Sequence, residues 1–378
     1  MLVSVQMTKN LRELSNALLG KFLDPTGKPV SGKLSSPSNL QEEIESLKQL
    51  VPGNIWRSPS NARVFEFMHE DSYCQALTLS LSDEDLTDLK EQSENTIQPI
   101  EIPGSIYLFL ANQLNLQVKN NDPQLVDEYI AAPAEEDGVD LDVIKPLLED
   151  ITVLRLTDSS IFKNPTPGRY VANYICTFDP KSKGSNKLTS RSLEIIREIF
   201  LQEKDRLIEE NLFEAMATPL LRHAFLEIYR ILEFVFTLPR ATSLLEQLRL
   251  AGGKIEIKIL DFARHCHKQL GWNRIERDSI KKLFREYSSV NYSAFLTLSV
   301  GCSPFSTITI APQTSSEEER VVYVEKIADR VYQLRNQVAH QFWPDEMVSC
   351  TDADWQELIE FTLGCISYFY NQHLSKSI

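Results

Sequence analysis

The sequence predicts an α+β N-terminal domain followed by an all-α helical bundle. Three observations lead there. Residues 1 to about 185 hold short apolar runs, several of them alternating as strands do. A charged stretch rich in turn formers, Asp179-Pro-Lys-Ser-Lys-Gly-Ser-Asn-Lys, then reads as a linker. Beyond it, apolar residues recur at helical spacing to the C-terminus. The expected domains are residues 1–185 and 190–378, and a chain of 378 residues has room for both.

The N-terminal elements follow in order. Leu40 to Leu50 has a helical period that Pro52-Gly53 ends. Arg63-Val-Phe-Glu-Phe-Met and Gln75-Ala-Leu-Thr-Leu-Ser-Leu read as strands, as do Ile151-Thr-Val-Leu-Arg-Leu and Arg169-Tyr-Val-Ala-Asn-Tyr-Ile. Ser105-Ile-Tyr-Leu-Phe-Leu fits a strand or a buried helix equally. Glu135 to Asp150 holds seven acids in 16 residues.

In the C-terminal part, helices are expected over Ser192–Asn211, Leu220–Leu238, Ile257–Leu270, Arg277–Tyr287 and Glu317 to about Gln341. Pro239 interrupts the second of these and Pro344 follows the last. Gly301 to Ser316 reads as a loop. The final helix opens on Thr351-Asp-Ala-Asp, a capping-box pattern, and runs to about His373.

Composition excludes several classes. Hydrophobic residues make up 42% and charged residues 24%, so a packed core forms and wholesale disorder does not. The six cysteines are scattered without a C-x-x-C pair, which argues against a zinc ribbon or a disulfide scaffold. His265-Cys266-His267 is dense in donors, but three adjacent residues cannot surround one metal. No cofactor and no metal are expected. With neither a signal-peptide pattern nor a membrane-length apolar run, the expectation is a soluble cytoplasmic protein that does not engage a membrane. No P-loop spacing and no G-x-S-x-G elbow occurs.

Net charge is −14, which repels nucleic acid except at a local basic patch. Lys254 to Arg285 is such a window, with nine Lys and Arg against four acids. Arg264, Lys268, Lys281, Lys282 and Arg285 are the candidate RNA-binding cations, and Trp272 and Tyr287 the candidate stacking rings. A solvated helix face and core aromatics are the plainer reading of the same residues.

The chemistry concentrates in Tyr332-Gln-Leu-Arg-Asn-Gln-Val-Ala-His-Gln-Phe-Trp-Pro344. At about 100° per residue, Val324, Ile327, Ala328, Val331, Leu334 and Val338 form one apolar stripe. Asn336 and His340, four apart, share a face well away from it. Arg335 lies about 140° around from His340, so one straight helix does not converge them. Either the helix end distorts or two copies share a site. His340 sits in the last turn, where unpaired carbonyls favour positive charge, and imidazole suits general acid–base work. Asn336 suits holding its tautomer. The Arg335 fork suits a phosphate. Arg plus His without a carboxylate cluster fits RNA cleavage by its own 2′-hydroxyl, with no metal.

Arg335-Asn336-x-x-x-His340, near the end of a long helix in a helical domain, resembles the motif of the HEPN superfamily. The upstream Phe225-Leu-Glu-Ile-Tyr-Arg-Ile-Leu-Glu-Phe-Val-Phe resembles the long first helix of such domains, and the likeness spans roughly residues 190 to 375. It implies a HEPN-like bundle that dimerises with two motifs in one cleft. It also implies an endoribonuclease of toxin or anti-phage defence systems. Arg335 would then contact the scissile phosphate, His340 act as acid or base, and Asn336 be the motif's polar residue. HEPN toxins paired with a nucleotidyltransferase antitoxin carry a Tyr two residues after the His. Phe342 stands there, so that pairing is not implied. The N-terminal domain would sense a trigger, recruit a partner or restrain the nuclease, with a regulatory protein or a nucleic-acid trigger as the partner it implies. The alternative is a non-catalytic HEPN-like scaffold for dimerisation or RNA binding. On the upstream helix, Glu227, Arg230 and Glu233 lie on the polar side, where a charge lines a cleft or simply faces solvent.

Overall fold

The computed structural model describes residues 10–35, 39–58, 62–119, 122–135, 138–157, 168–178, 187–202, 208–250, 262–263, 265–266, 276–340 and 349–374. The chain divides into two compact units, Met1–Ser182 and Lys183–Ile378. The expected linker (but for Lys187), most of the Ile257–Leu270 helix, Arg264, His267, Lys268, Trp272, Phe342 and Pro344 lie outside the described residues.

Unit 1 is α+β. Its sheet has five antiparallel strands, β1 (Val51–Arg57), β2 (Arg63–His69), β3 (Ser72–Leu77), β4 (Ile97–Pro99) and β5 (Thr152–Leu156), in the order β1-β2-β3-β5-β4. Glu70 and Asp71 join β2 to β3 with φ of 50° and 58°, the left-handed pair that a tight hairpin turn needs. Pro52 and Pro99 stand in the two edge strands, where a missing N–H breaks no inner ladder.

The helices of this unit are α1 (Leu11–Leu19), α2 (Leu40–Gln49), α3 (Asp83–Gln92), α4 (Gly104–Gln113), the one-turn α5 (Pro123–Val126), α6 (Ala132–Glu135) and α7 (Leu141–Ile144), and α8 (Gly168–Cys176). Phe65 and Phe67, two apart on β2, share the core with Phe109 of α4, Leu18 of α1 and Leu47 of α2.

Three sequence expectations change here. Arg169–Ile175 is helical, not a strand. Its polar residues, Arg169 and Asn173, stand four apart on one helical face, a period too brief to tell from a strand in so short an apolar run. The Ser105 run resolves as helix α4, with Ile106, Phe109 and Leu110 buried. The second strand begins at Ser72 rather than Gln75 and ends at Leu77, because the hairpin pairs Ser72 with His69.

In unit 2 the described elements are all helical. They are α9 (Ser190–Gln202), α10 (Glu209–Ala217), α11 (Leu221–Val235), α12 (Leu238–Leu250), α13 (Glu276–Val290), α14 (Tyr292–Gly301), α15 (Glu317–His340) and α16 (Asp352–Leu374), with a short 3-10 turn at Ser303–Phe305. Pro239 ends nothing on its own. It falls in the first turn of α12, where its missing N–H costs no bond. Helix α14 is apolar nearly all round, and its lack of a period hid it from sequence reading. The capping box forms as expected: Asp354 N–H donates to Thr351 Oγ1 at 3.2 Å, and Thr351 N–H to Asp354 Oδ2 at 2.7 Å. Helix α16 packs on α9, α11 and α14, while α15 packs on α11 and α13. Among the described residues no helix is long and apolar enough to cross a membrane.

Candidate functional site

Helix α15 carries the motif. Its buried stripe is Tyr323, Val324, Ile327, Ala328, Val331 and Leu334, as the wheel predicts, though Val338 is only half-buried. Arg335 follows at once and is half-buried. Its side chain reaches out to α11 and α13.

Two carboxylates meet it there. Arg335 Nη2 donates to Glu233 of α11 at 2.5 Å, and Nε lies 3.6 Å from Glu276, the first residue of α13. Tyr229, one turn before Glu233 on α11, completes the cluster. Its hydroxyl donates to Glu276 at 3.1 Å, and the guanidinium lies over its ring at 5.6 Å, within cation–π range. Arg335 Nη1 donates to Asn336 Oδ1 at 3.0 Å. Of the five N–H donors of a guanidinium, these bonds occupy two, and Nε–H makes no hydrogen bond.

The electrostatics follow from this geometry. Burial, with Glu276 adding to it, raises the carboxyl of Glu233 above its ordinary range against the pull of Arg335. Burial raises the Tyr229 hydroxyl far above its ordinary value, and the charges of Glu276 and Glu233 push the same way. Burial works against the charge on Arg335, but Glu233 and Glu276 outweigh it and raise its pKa.

The structure thus brings Arg335 and Asn336 together and adds Glu233, Glu276 and Tyr229. His340 is exposed as the last residue of α15. It lies roughly 7.5 Å further along the axis and about 140° around from Arg335. Of the acids weighed on the upstream helix, Glu233 enters the site. Glu227 instead accepts from Arg230 and from Asn211. Glu276 and Tyr229 were missed as site residues. Glu276 counts in the sequence only against the basic window, and Tyr229 falls on the apolar face of its helix.

Three of the four basic residues of α13 pair with acids of α15. Lys281 and Arg277 pair with Asp329 at 3.0 and 2.7 Å, and Arg285 pairs with Glu325. Lys282 is exposed, without a carboxylate partner among the described residues. Tyr287 is a core ring packed against Phe295 and Phe361. Among the described residues no group of three His, Cys, Asp or Glu is placed to hold a metal. No family model, no curated protein and no solved structure matches the chain.

Proposed function

We propose that the chain is a metal-independent endoribonuclease of the HEPN type, with Arg335, Asn336 and His340 in a site shared by two copies. The observation that supports this best is the poise of Arg335. Carboxylates from two other helices fix its fork in a half-open position, beside Asn336 and on the helix that ends in exposed His340. Groups perturbed by burial together with a specific charge partner concentrate at functional sites, and Glu233 is such a group.

In the reaction, one imidazole takes the proton of the RNA 2′-hydroxyl as its oxygen attacks phosphorus. The bond to the 5′-oxygen breaks, and a second imidazole protonates that oxygen. The products are a 2′,3′-cyclic phosphate and a 5′-hydroxyl. Arg335 stabilises the extra negative charge on phosphorus with donors its acids leave open. Two copies supply the two imidazoles, since one helix carries one. By the same resemblance, the activity belongs to a toxin or anti-phage system.

A second reading, a non-catalytic scaffold for dimerisation or RNA binding, has its own support. Glu233 and Glu276 outnumber Arg335, and Lys281 and Arg285 are neutralised by Asp329 and Glu325. Such charge does not attract a polyanion strongly. Single-stranded RNA incubated in EDTA with the purified chain and with His340→Ala separates the two. The ribonuclease reading expects cleavage that the variant loses. Absence of cleavage by the unmodified chain sinks it.

A further inference from the structure

Unit 1 holds a cavity of about 1030 Å³ between α1, residues 30–35 and the first turns of α2, α4 and α7. The segment 30–35 is strapped to its far wall. Lys33 N–H donates to the Ala134 carbonyl at 3.1 Å, and Val139 N–H to the Lys33 carbonyl at 3.1 Å. Ser35 N–H donates to the Val139 carbonyl at 2.9 Å and Ser35 Oγ to the Gly138 carbonyl at 2.8 Å. At Gly32 the approach is so close that a Cβ would stand 2.6 Å from Ala134. The cavity therefore has a fixed wall.

Its charged lining is asymmetric. The two acids have backbone partners. Glu43 accepts the N–H groups of Gly104 at 3.2 Å and Ser105 at 2.7 Å, which sets its charge against the positive end of α4. Asp140 accepts from Asp142 N–H at 2.9 Å. The two cations do not. The guanidinium of Arg12 and the ammonium of Lys33 have no carboxylate partner among the described residues. Glu43 and Asp140 thus spend their oxygens on the protein's own N–H groups, while the two cations, both exposed, keep their donors for a ligand.

We propose that this cavity binds a small organic phosphate. A phosphate monoester is close to a dianion at pH 7, its second pKa being about 6, and so matches two cations. Arg12 offers the planar fork that grips phosphate oxygens in pairs, and Lys33 a compact charge on the same lining. Ser31 and Asn16 line the same space and supply further polar contacts. Leu34, Leu108 and Leu141 give the organic part an apolar wall. The volume suits a metabolite of nucleotide size rather than a polymer.

Isothermal titration calorimetry on the full chain tests this, with AMP, glucose 6-phosphate and glycerol 3-phosphate as probes. At least one should bind at a single saturable site, and more tightly than inorganic phosphate or citrate. Arg12→Gln and Lys33→Gln should each weaken that binding about tenfold or more, the loss of one charge-assisted contact. Neither should change the melting temperature without ligand, since both residues are exposed. No saturable heat with any probe at millimolar concentration overturns the proposal. So does binding that both variants retain, or inorganic phosphate binding as tightly as the esters. No RNA enters this experiment, so its outcome is independent of the reading given to Arg335 and His340.

Discussion

Arg335 of α15 donates to the carboxylate of Glu233 on α11, 102 positions earlier in the chain. The contact joins the motif's cation to a second helix and gives it a structural duty besides any chemical one. Alanine at 335 then does two things at once. It removes the fork and leaves two half-buried carboxylates uncompensated. We expect Arg335→Ala to lose about 1–2 kcal/mol in urea unfolding, less than a fully buried pair because all three side chains are partly solvated. Arg335→Lys keeps the charge and most of that stability, but not paired donation to a phosphate. On the ribonuclease reading it cleaves RNA at least about 100-fold more slowly, as the loss of one oriented charge at a transition state does. Wild-type cleavage by Arg335→Lys would falsify the phosphate role.

Glu233 gives the fold a pH signature. Its carboxyl holds a proton more tightly in the folded chain than in the unfolded one. In that range the folded state binds more protons, so stability falls as pH rises from 4.5 upward through the raised titration. Glu233→Gln removes the group and should flatten that part of the profile. Melting temperature against pH for both proteins measures it, and parallel curves would show that Glu233 titrates normally.

His340 is exposed, so replacing it uncovers little buried surface. His340→Ala should leave stability within about 0.5 kcal/mol. On the proposed chemistry it lowers cleavage by about 10²- to 10⁴-fold, the usual contribution of an acid–base group. A cleavage assay beside a thermal melt reads both. Unchanged cleavage removes His340 from the mechanism.

The motif helix was legible because its stripe is one-sided: Val324 to Leu334 sit on one face and are buried together. The capped start of α16 was legible because Thr351 and Asp354 interact locally. What escaped were runs whose pattern is blurred. Tyr170 to Cys176 is apolar but for Asn173, and over so few residues a helix and a strand look alike, while α14 is apolar on its exposed side too, Val300 being 78% exposed, so its sequence carries no period to read. The cluster at Arg335 was half legible. Glu233 stood out as a charge on an amphipathic helix. Glu276 arrives from another helix through tertiary packing, which no local pattern encodes.

Asp354 ties the start of α16 to the loop before α15. Besides its capping box, its Oδ1 accepts Ser303 N–H at 2.6 Å and its Oδ2 accepts the Ser303 hydroxyl at 2.9 Å. It is 4% exposed. Burial alone would raise its pKa, but the bonds from Thr351 and Ser303 outweigh it and lower it. Its contribution is therefore present at neutral pH and lost as pH falls through the lowered titration. Asp354→Ala should cost about 2–4 kcal/mol in urea unfolding, a lost cap together with stranded backbone donors. A loss under about 0.5 kcal/mol would show that solvent satisfies those donors.

Gly32 sets the position of the strap in unit 1. A methyl group there meets Ala134 at 2.6 Å, backbone carbonyl included. Gly32→Ala should destabilise by about 1–3 kcal/mol, the usual range for an overpacked contact. A melting temperature equal to wild type would mean that the strap moves aside at no cost.

The buried face of α15 ends at Leu334, one residue before the motif begins. About five turns of that helix hold the bundle together, and the last turn and two-thirds or so is left to whatever Arg335, Asn336 and His340 do. Selection can therefore act on the two parts separately. Substitutions at 336 and 340 can accumulate while the bundle persists, so a lineage of such chains would keep its architecture whatever became of those two positions. Position 335 is the exception, since Glu233 and Glu276 would have to change with it.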